Sequence, residues 1–513
     1  MPFRDVPRPP RIAINRFTGG KNSRDDSIRI RPDQCTSAQN IHFRGNTIVE
    51  RNGYIEKLSS ALSAKVIWML LFKKSDSSKY WLAATSAGEL YTVAADLSST
   101  TLVKGDFTAS DYFNGVQYLD KVYMVNGIDG LWEWDGTTIQ LVASYTPAGG
   151  EDTNELADAS SGIHTCKYIT VQMNLLFLAG SSGTGTATYV YTSDLTQGPA
   201  YFKTGDIINV ENIPVGLSRH RKYVLIWKEG SVDGLPPLQA STDYDLQRFT
   251  INARVGAASG GTVRQWNDYS IFLSKDGVYS LHSSTLSDFL PAKRISDLIQ
   301  PDLETYTYAQ KQAAWAEIYD DFYILAIGGK WYLLDLRYSN LNSAEQCCWS
   351  GPWDIAHGFL WEHPETKLLY SSHTGGQIYL QDTGNTDNGT NIATEWFSGW
   401  MDMGRPEVVK LFRDLWMHLR GTTNTCDISL ILQLDYTISE YTYTISLKKS
   451  GGFVLGTSLL GTGVLGYADQ FFDKRITPPS TARFIRIGFR HNANEDRAAI
   501  NSFVAYMQDV GAW

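Results

Sequence analysis

The sequence predicts an all-β protein: a β-propeller followed by a C-terminal antiparallel β-sandwich, entered through an extended N-terminal arm. Two observations carry that fold class. A unit of strand, glycine turn and aromatic strand recurs seven times between residues 64 and 385. After Thr383 this period stops, and strands of alternating apolar and polar residues run towards the end of the chain. Nothing in between reads as a long helix.

Residues 1–31 form the arm. They hold eight Arg or Lys against three Asp, in a chain whose net charge is −9. Pro2, Pro7, Pro9 and Pro10 keep the first part extended, because proline fixes φ and removes a backbone donor. Such a segment buries no core of its own, so it is a loose tail or an arm that orders on a partner. Residues 32–63 are an entry segment. Pro32-Asp33-Gln34 reads as a short helical turn, and Asn40-Ile41-His42-Phe43 and Thr47-Ile48-Val49-Glu50 read as a hairpin across Gly45-Asn46.

Residues 64–385 are the propeller. One unit runs Lys121-Val122-Tyr123-Met124-Val125 to Gly130-Leu131-Trp132, another Phe322-Tyr323-Ile324-Leu325 to Gly329-Lys330-Trp331-Tyr332. The seven turn glycines are Gly88, Gly130, Gly183, Gly230, Gly277, Gly329 and Gly376, spaced between 42 residues (88 to 130) and 53 residues (130 to 183). Periods of roughly 40–50 residues with several strands each mark propeller blades. Glycine suits the turns because tight hairpins require positive φ. Each hairpin follows another apolar run fit for an inner strand, at 66–70, 113–116, 168–171, 213–217, 261–263, 313–316 and 355–360. Seven blades are expected, or six if the unit at Gly230 is irregular.

Residues 384–390 are polar and turn-rich and read as a linker. Beyond them, 391–513 carry alternating strands at 415–419, 428–432, 483–489 and 502–507, the pattern of a half-buried antiparallel sheet. The run 451–466 is apolar but glycine-rich. Its Phe453, Leu455, Leu459, Leu460 and Leu465 are candidate subunit contacts if exposed; the other reading is a glycine-bent hairpin folded onto its own sandwich.

The acidic balance argues against a general nucleic-acid binder, which carries a basic face. The five cysteines (Cys35, Cys166, Cys347, Cys348 and Cys426) show no C-x-x-C spacing, so neither a disulfide framework nor a metal site is expected. The N-terminus has no apolar signal core and no stretch is long enough to span a membrane, so synthesis in a cytoplasm is expected. None of the nine histidines falls in an H-E-x-x-H arrangement. His363 and His373 flank one strand and read as turn histidines. There is no G-x-S-x-G elbow, and Gly180–Gly185 lacks the Lys-Ser/Thr ending of a phosphate loop. No enzyme, no catalytic residue and no cofactor is expected.

Four pieces of the entry region carry a resemblance: Phe17-Thr18-Gly19-Gly20, Arg31-Pro32-Asp33-Gln34, Ala38-Gln39-Asn40-Ile41-His42-Phe43 and Arg51-Asn52-Gly53-Tyr54. Together with the blade at Trp266–Tyr279 and the stretch from Trp396 through Trp400 to Lys410, they resemble bacteriophage tail virion proteins with a β-propeller. That group includes tail nozzle proteins (tail tubular protein B-like) and propeller-bearing tail adaptors. The resemblance implies a structural virion subunit that self-associates as a ring, commonly a hexamer, contacts neighbouring tail proteins and lets DNA pass without specific binding. Under it, Arg8, Arg11, Arg16 and Arg24 are candidate arm contacts. The alternative is a propeller that binds or cleaves host-surface glycan, with Trp132, Trp134, Trp349 and Trp353 as stacking platforms.

Overall fold

The computed structural model describes residues 11–221, 223–236, 248–252, 254–282, 292–402, 404–422, 424–448, 471–478 and 481–512. Six four-stranded antiparallel sheets stand as separate blades, and a further four-strand unit (Trp315–Tyr319, Phe322–Ile327, Lys330–Asp335, Cys348–Trp353) takes its place among them as the sixth in chain order. Seven apolar clusters fill the spaces between successive units, and the last joins Phe359, Tyr370 and Ile378 to Val66, Met69 and Trp81. That cluster closes the ring. The blade at Gly230 is regular, with strands Pro214–His220, Tyr223–Lys228, Val232–Leu235 and Phe249–Asn252.

Burial explains why the second strand of each unit reads as a continuous apolar run. Leu175–Ala179 and Phe322–Ile327 are buried at every position, because a neighbouring blade covers each face. Gly88 and Gly376 show what the turn glycines do: both have positive φ, and a Cβ there would sit 2.1 Å from the carbonyl oxygens of Phe107 and Leu62 respectively. Gly183 and Gly230 are not at positive φ, so the turn argument covers five of the seven. The stretch 261–263 is largely a 3₁₀ turn; the inner strand follows it at Arg264–Trp266.

Two further sheets bury one core between them. One contains Val408–Arg420, Ala499–Ala512 and Phe471–Ile476; the other contains Thr394–Ser398, Ile485–His491, Asp427–Leu434 and Tyr441–Ser446. Along Val408–Arg420 the apolar side chains of Phe412, Leu415, Met417 and Leu419 all face this core. Trp396 stacks on Phe503 with ring centroids 5.4 Å apart, and Phe17 meets Trp396 edge-on at 5.7 Å. Such pairs contribute about 0.5–1.5 kcal/mol each beyond their burial.

The N-terminal segment departs from the expected loose arm in the folded chain. From Arg11 onward the expected arm is woven into the protein: Arg11–Ile14 pairs with the last long strand, and Ile14 and Phe17 lie in the core. The sandwich is therefore not 391–513 alone; Gln34–Gln39, Ile41–Arg44 and Thr47–Glu50 are strands of its two sheets. Pro32-Asp33 is a plain turn, not helical. The same segment then closes the propeller, since Ile55–Glu56 is the outer strand of the seventh blade.

Gln34–Gln39 lies between the propeller and the sandwich. It pairs with Thr394–Ser398 on one side and with the sixth blade at Ala38 and Gly351 on the other, so one ten-stranded sheet runs from blade into sandwich. The expected linker reinforces this seam. Thr386-Asp387 and Thr390-Asn391 form a small hairpin, and Asp387 accepts two hydrogen bonds from Arg51, at 2.7 and 2.5 Å. Arg51 is 1% exposed and also donates to Asn40 Oδ1 and to the Asn52 carbonyl. Arg51→Ala leaves Asp387 half of a broken buried pair, an expected cost of about 3–5 kcal/mol. The paired change Arg51→Met with Asp387→Leu is expected to recover much of that loss in urea unfolding. Equal damage from both would show that the charges themselves hold the seam.

Candidate functional site: the propeller–sandwich seam

The seam borders a half-open pocket of about 410 Å³. Trp331, Trp353, Phe322 and Ile324 of the sixth blade give it an apolar wall, and His42, Thr422, Asp496 and Arg497 face it from the sandwich side. Topology explains the mixture. The wall strands are the fully buried centre of a blade, whereas the opposite residues sit at strand ends and in the loop after Ile485–His491.

Two polar groups at this cavity stand out. His42 lies edge-on to Phe322 at 5.7 Å, and its Nδ1 is buried with no hydrogen-bond partner among the described residues. Burial, helped by the charges of Arg44 and Arg337, pushes its pKa down to about 3. Arg497 has all three guanidinium nitrogens buried, again with no hydrogen-bond partner among the described residues. Burial pulls its pKa down, against the opposing charge of Glu50.

Behind Arg497 lies a second polar group of side chains. Glu50 is buried; one carboxylate oxygen accepts from the Ala498 N–H at 2.8 Å, and the Thr394 hydroxyl donates to the other. His491 Nδ1 lies 3.0 Å from Glu50 Oε2. Burial works against protonation of His491, but the hydrogen bond and charge of Glu50 outweigh it and raise the pKa. His491 Nε2 faces Glu495 Oε2 at 3.4 Å, and the buried Cys426 thiol completes a cluster whose ligand atoms all lie within 4.8 Å of one another. The sequence reading expected no metal site and missed this cluster. Its members are separated by 65 residues between Cys426 and His491, so no short motif signals it. The single local trace is the His-x-x-x-Glu spacing of His491 and Glu495.

The residues singled out from sequence are scattered over the fold. Arg8 and the apolar residues Phe453, Leu455, Leu459, Leu460 and Leu465 lie outside the described residues. Arg11 and Arg16 are exposed on the sandwich. Arg24 is not a free arm contact; its guanidinium bonds Glu345 at 2.7 and 3.1 Å and Asp25 at 2.9 and 3.0 Å within the same chain. The four tryptophans are engaged by the fold. Trp134 and Trp349 are buried, Trp349 and Trp353 donate to the carbonyls of Ile295 and Ile41, and Trp132 carries the Lys104 ammonium 4.2 Å above its ring. His363 is a turn histidine as expected, its Nδ1 accepting from the N–H groups of Glu365 and Thr366. The histidine that meets His373 is His357, with ring centroids 5.8 Å apart.

No protein-family model and no curated protein matches this chain. Among solved structures, it is similar to the WD40 domain of Neurospora crassa Pan2 at 9% identity, covering 67% of this chain and 99% of that one, with a TM-score of 0.41. It is similar to BamB from Moraxella catarrhalis at 11% identity, covering 68% and 97%, with a TM-score of 0.39. The computationally designed Ika8 protein matches at 10% identity, covering 64% and 100%, with a TM-score of 0.35. The class defined here is that of β-propeller proteins, and it rests on the strand topology and the seven inter-blade cores rather than on these loose superpositions.

The depressed pKa of His42 has a signed consequence. The unfolded imidazole, with a pKa of about 6.5, takes up its proton well before the folded one at about 3. The stability His42 contributes is complete above the unfolded value and is lost as pH falls from there towards the folded one. His42→Leu is expected to flatten the loss of stability between roughly pH 7 and pH 5, read from urea midpoints. Identical slopes in the two proteins would show that His42 protonates freely in place.

Proposed function

We propose that the protein is a non-enzymatic structural subunit of a bacteriophage tail, assembling with copies of itself as a ring around the DNA-ejection channel, as a nozzle or adaptor. One observation carries the reading: the pieces of sequence that resemble such virion proteins are the pieces that build the seam. Gly20 packs where a Cβ would lie 2.6 Å from the Trp349 backbone, and Gly53 where it would lie 1.8 Å from the Thr386 carbonyl oxygen. Gln34 accepts from the Arg31 N–H and from Asn22. Asn40 bonds Arg51 and the Ala393 carbonyl, and Tyr54 packs edge-on to Tyr379 of the seventh blade at 5.3 Å. The motif thus encodes a way of fixing a propeller to a sandwich as one stiff body, which is what a load-carrying ring subunit requires.

The net charge of −9 fits the same role. A conduit wall that repels DNA lets it slide, whereas a basic wall would hold it. In this reading the propeller is the rigid body and the exposed Arg11 and Arg16 dock on the adjoining tail protein.

Native mass spectrometry of the purified chain, with electron microscopy of virions, tests this. A closed ring, or density for this fold on a tail, is the expected result; a monomer absent from virions overturns the proposal. Arg11→Glu with Arg16→Glu is expected to weaken docking to tails. Arg24→Glu, which breaks two partly exposed ion pairs, to Asp25 and Glu345, of about 0.2–1 kcal/mol each, is expected to leave docking near wild type.

A further inference from the structure

We infer that Cys426, His491 and Glu495 bind a zinc ion, with Glu50 fixing the orientation of His491. These three donors would bind the ion whether or not the chain belongs to a tail.

The donor set selects the metal. A thiolate, an imidazole and a carboxylate are the ligands zinc takes in tetrahedral sites, and the sulfur disfavours calcium and magnesium, which take oxygen. The three ligand atoms lie within 4.8 Å of one another, and one edge can be compared directly with a tetrahedron. Zinc bonds of about 2.0–2.2 Å to nitrogen and oxygen give a nitrogen–oxygen edge of about 3.3–3.5 Å. His491 Nε2 and Glu495 Oε2 are 3.4 Å apart, long for a hydrogen bond but in that range. Three protein donors leave a fourth position for water.

The surrounding groups are arranged as a metal site requires. His491 presents Nε2 to the cluster because Nδ1 is engaged by Glu50 at 3.0 Å, the carboxylate–histidine pairing that sets tautomer and ring orientation at zinc ligands. Glu50 and His491 side chains are 0% and 1% exposed, so this pair is held by the fold and not by solvent. Glu495 is held by the Asp427 N–H at 2.7 Å, next to Cys426 in the chain.

Charge balance points the same way. Zinc and Arg497 supply three positive charges, and the Cys426 thiolate, Glu50 and Glu495 supply three negative ones. Arg497 interacts electrostatically with Cys426, and its guanidinium nitrogens have no hydrogen-bond partner among the described residues, so a metal-held thiolate would place a further negative charge near it. The ion would tie the start of Asp427–Leu434 to the end of Ile485–His491, and through Glu50 to the entry hairpin.

The test uses the full chain, stripped with a chelator and titrated with Co²⁺ and then Zn²⁺. One equivalent of Co²⁺ is expected to give a sulfur-to-cobalt charge-transfer band and intense tetrahedral d–d bands, both abolished by Zn²⁺. Cys426→Ser is expected to lose the charge-transfer band, and Glu50→Gln to weaken zinc affinity about 10–100-fold. Zinc is also expected to raise Tm in the wild type and not in Cys426→Ser. Absence of stoichiometric binding, binding without the charge-transfer band, or undiminished zinc affinity in Cys426→Ser each overturns the site. Should Glu50→Gln fail to fold, Glu495→Gln replaces it, with loss of zinc affinity expected and retained affinity counting against the site.

Discussion

The backbone pairing of Gln34–Gln39 with both a blade and the sandwich is the constraint on which the rest of the molecule depends. A propeller blade ordinarily ends in an outer edge strand, a row of unpaired backbone groups that proteins must cover. Here the edge of the sixth blade is covered by the chain's own N-terminal segment, which continues the sheet outward. One strand thereby satisfies the blade edge, starts the second sheet of the sandwich and fixes the angle between the two bodies. The ring then closes through the same segment a few residues later, at Ile55–Glu56.

Such a seam forces polar groups inward. Strands that switch from one body to the other end near one another, and their last residues bury Glu50, Arg51 and His491, with Asp387 beside Arg51. Buried charges cost several kcal/mol each unless paired. Most are paired: Arg51 with Asp387, Glu50 with His491 and the Ala498 amide. Among the described residues, the Arg497 guanidinium and His42 Nδ1 have no hydrogen-bond partner. These two unmet groups face one cavity, and that coincidence makes the seam, not the blade surfaces, the chemically notable part of the fold.

How much of this was readable in the sequence follows from the range of the interactions. Blades were legible because each hairpin is local: the strand, the turn glycine and the returning strand lie within a short window, and a missing Cβ at Gly88 or Gly376 leaves a clear mark. The four sandwich strands were legible from alternation for the same reason. The arm was misread because its four prolines all fall within the first ten positions, whereas the apolar Ile14 and Phe17 lie beyond them among scattered basic residues. Ile14 and Phe17 are buried by strands almost five hundred residues away, which no local pattern announces. The polar run after Thr383 looked like a linker because Asp387 is hydrophilic; its partner Arg51 lies 336 positions earlier. The tryptophans read from sequence both as glycan-stacking platforms and as the packing a propeller needs between its blades, and the folded chain uses them for the second, since a ring's exposure depends on what the next blade places over it.

The same reasoning separates what the seam does from what the blades do. Blade-to-blade contacts are apolar and repeated, so each tolerates exchange of one hydrophobic side chain for another of similar volume. The seam is built from single, directional contacts that have no substitute within the fold. Gly53 meets a carbonyl oxygen, Arg51 forks onto one carboxylate, and His491 is aimed by Glu50. These residues hold the propeller and the sandwich at one angle. In the proposed tail ring, that angle would set how one copy presents its surfaces to the next, so rigidity at the seam, more than any property of the propeller itself, is what the proposal requires of the fold.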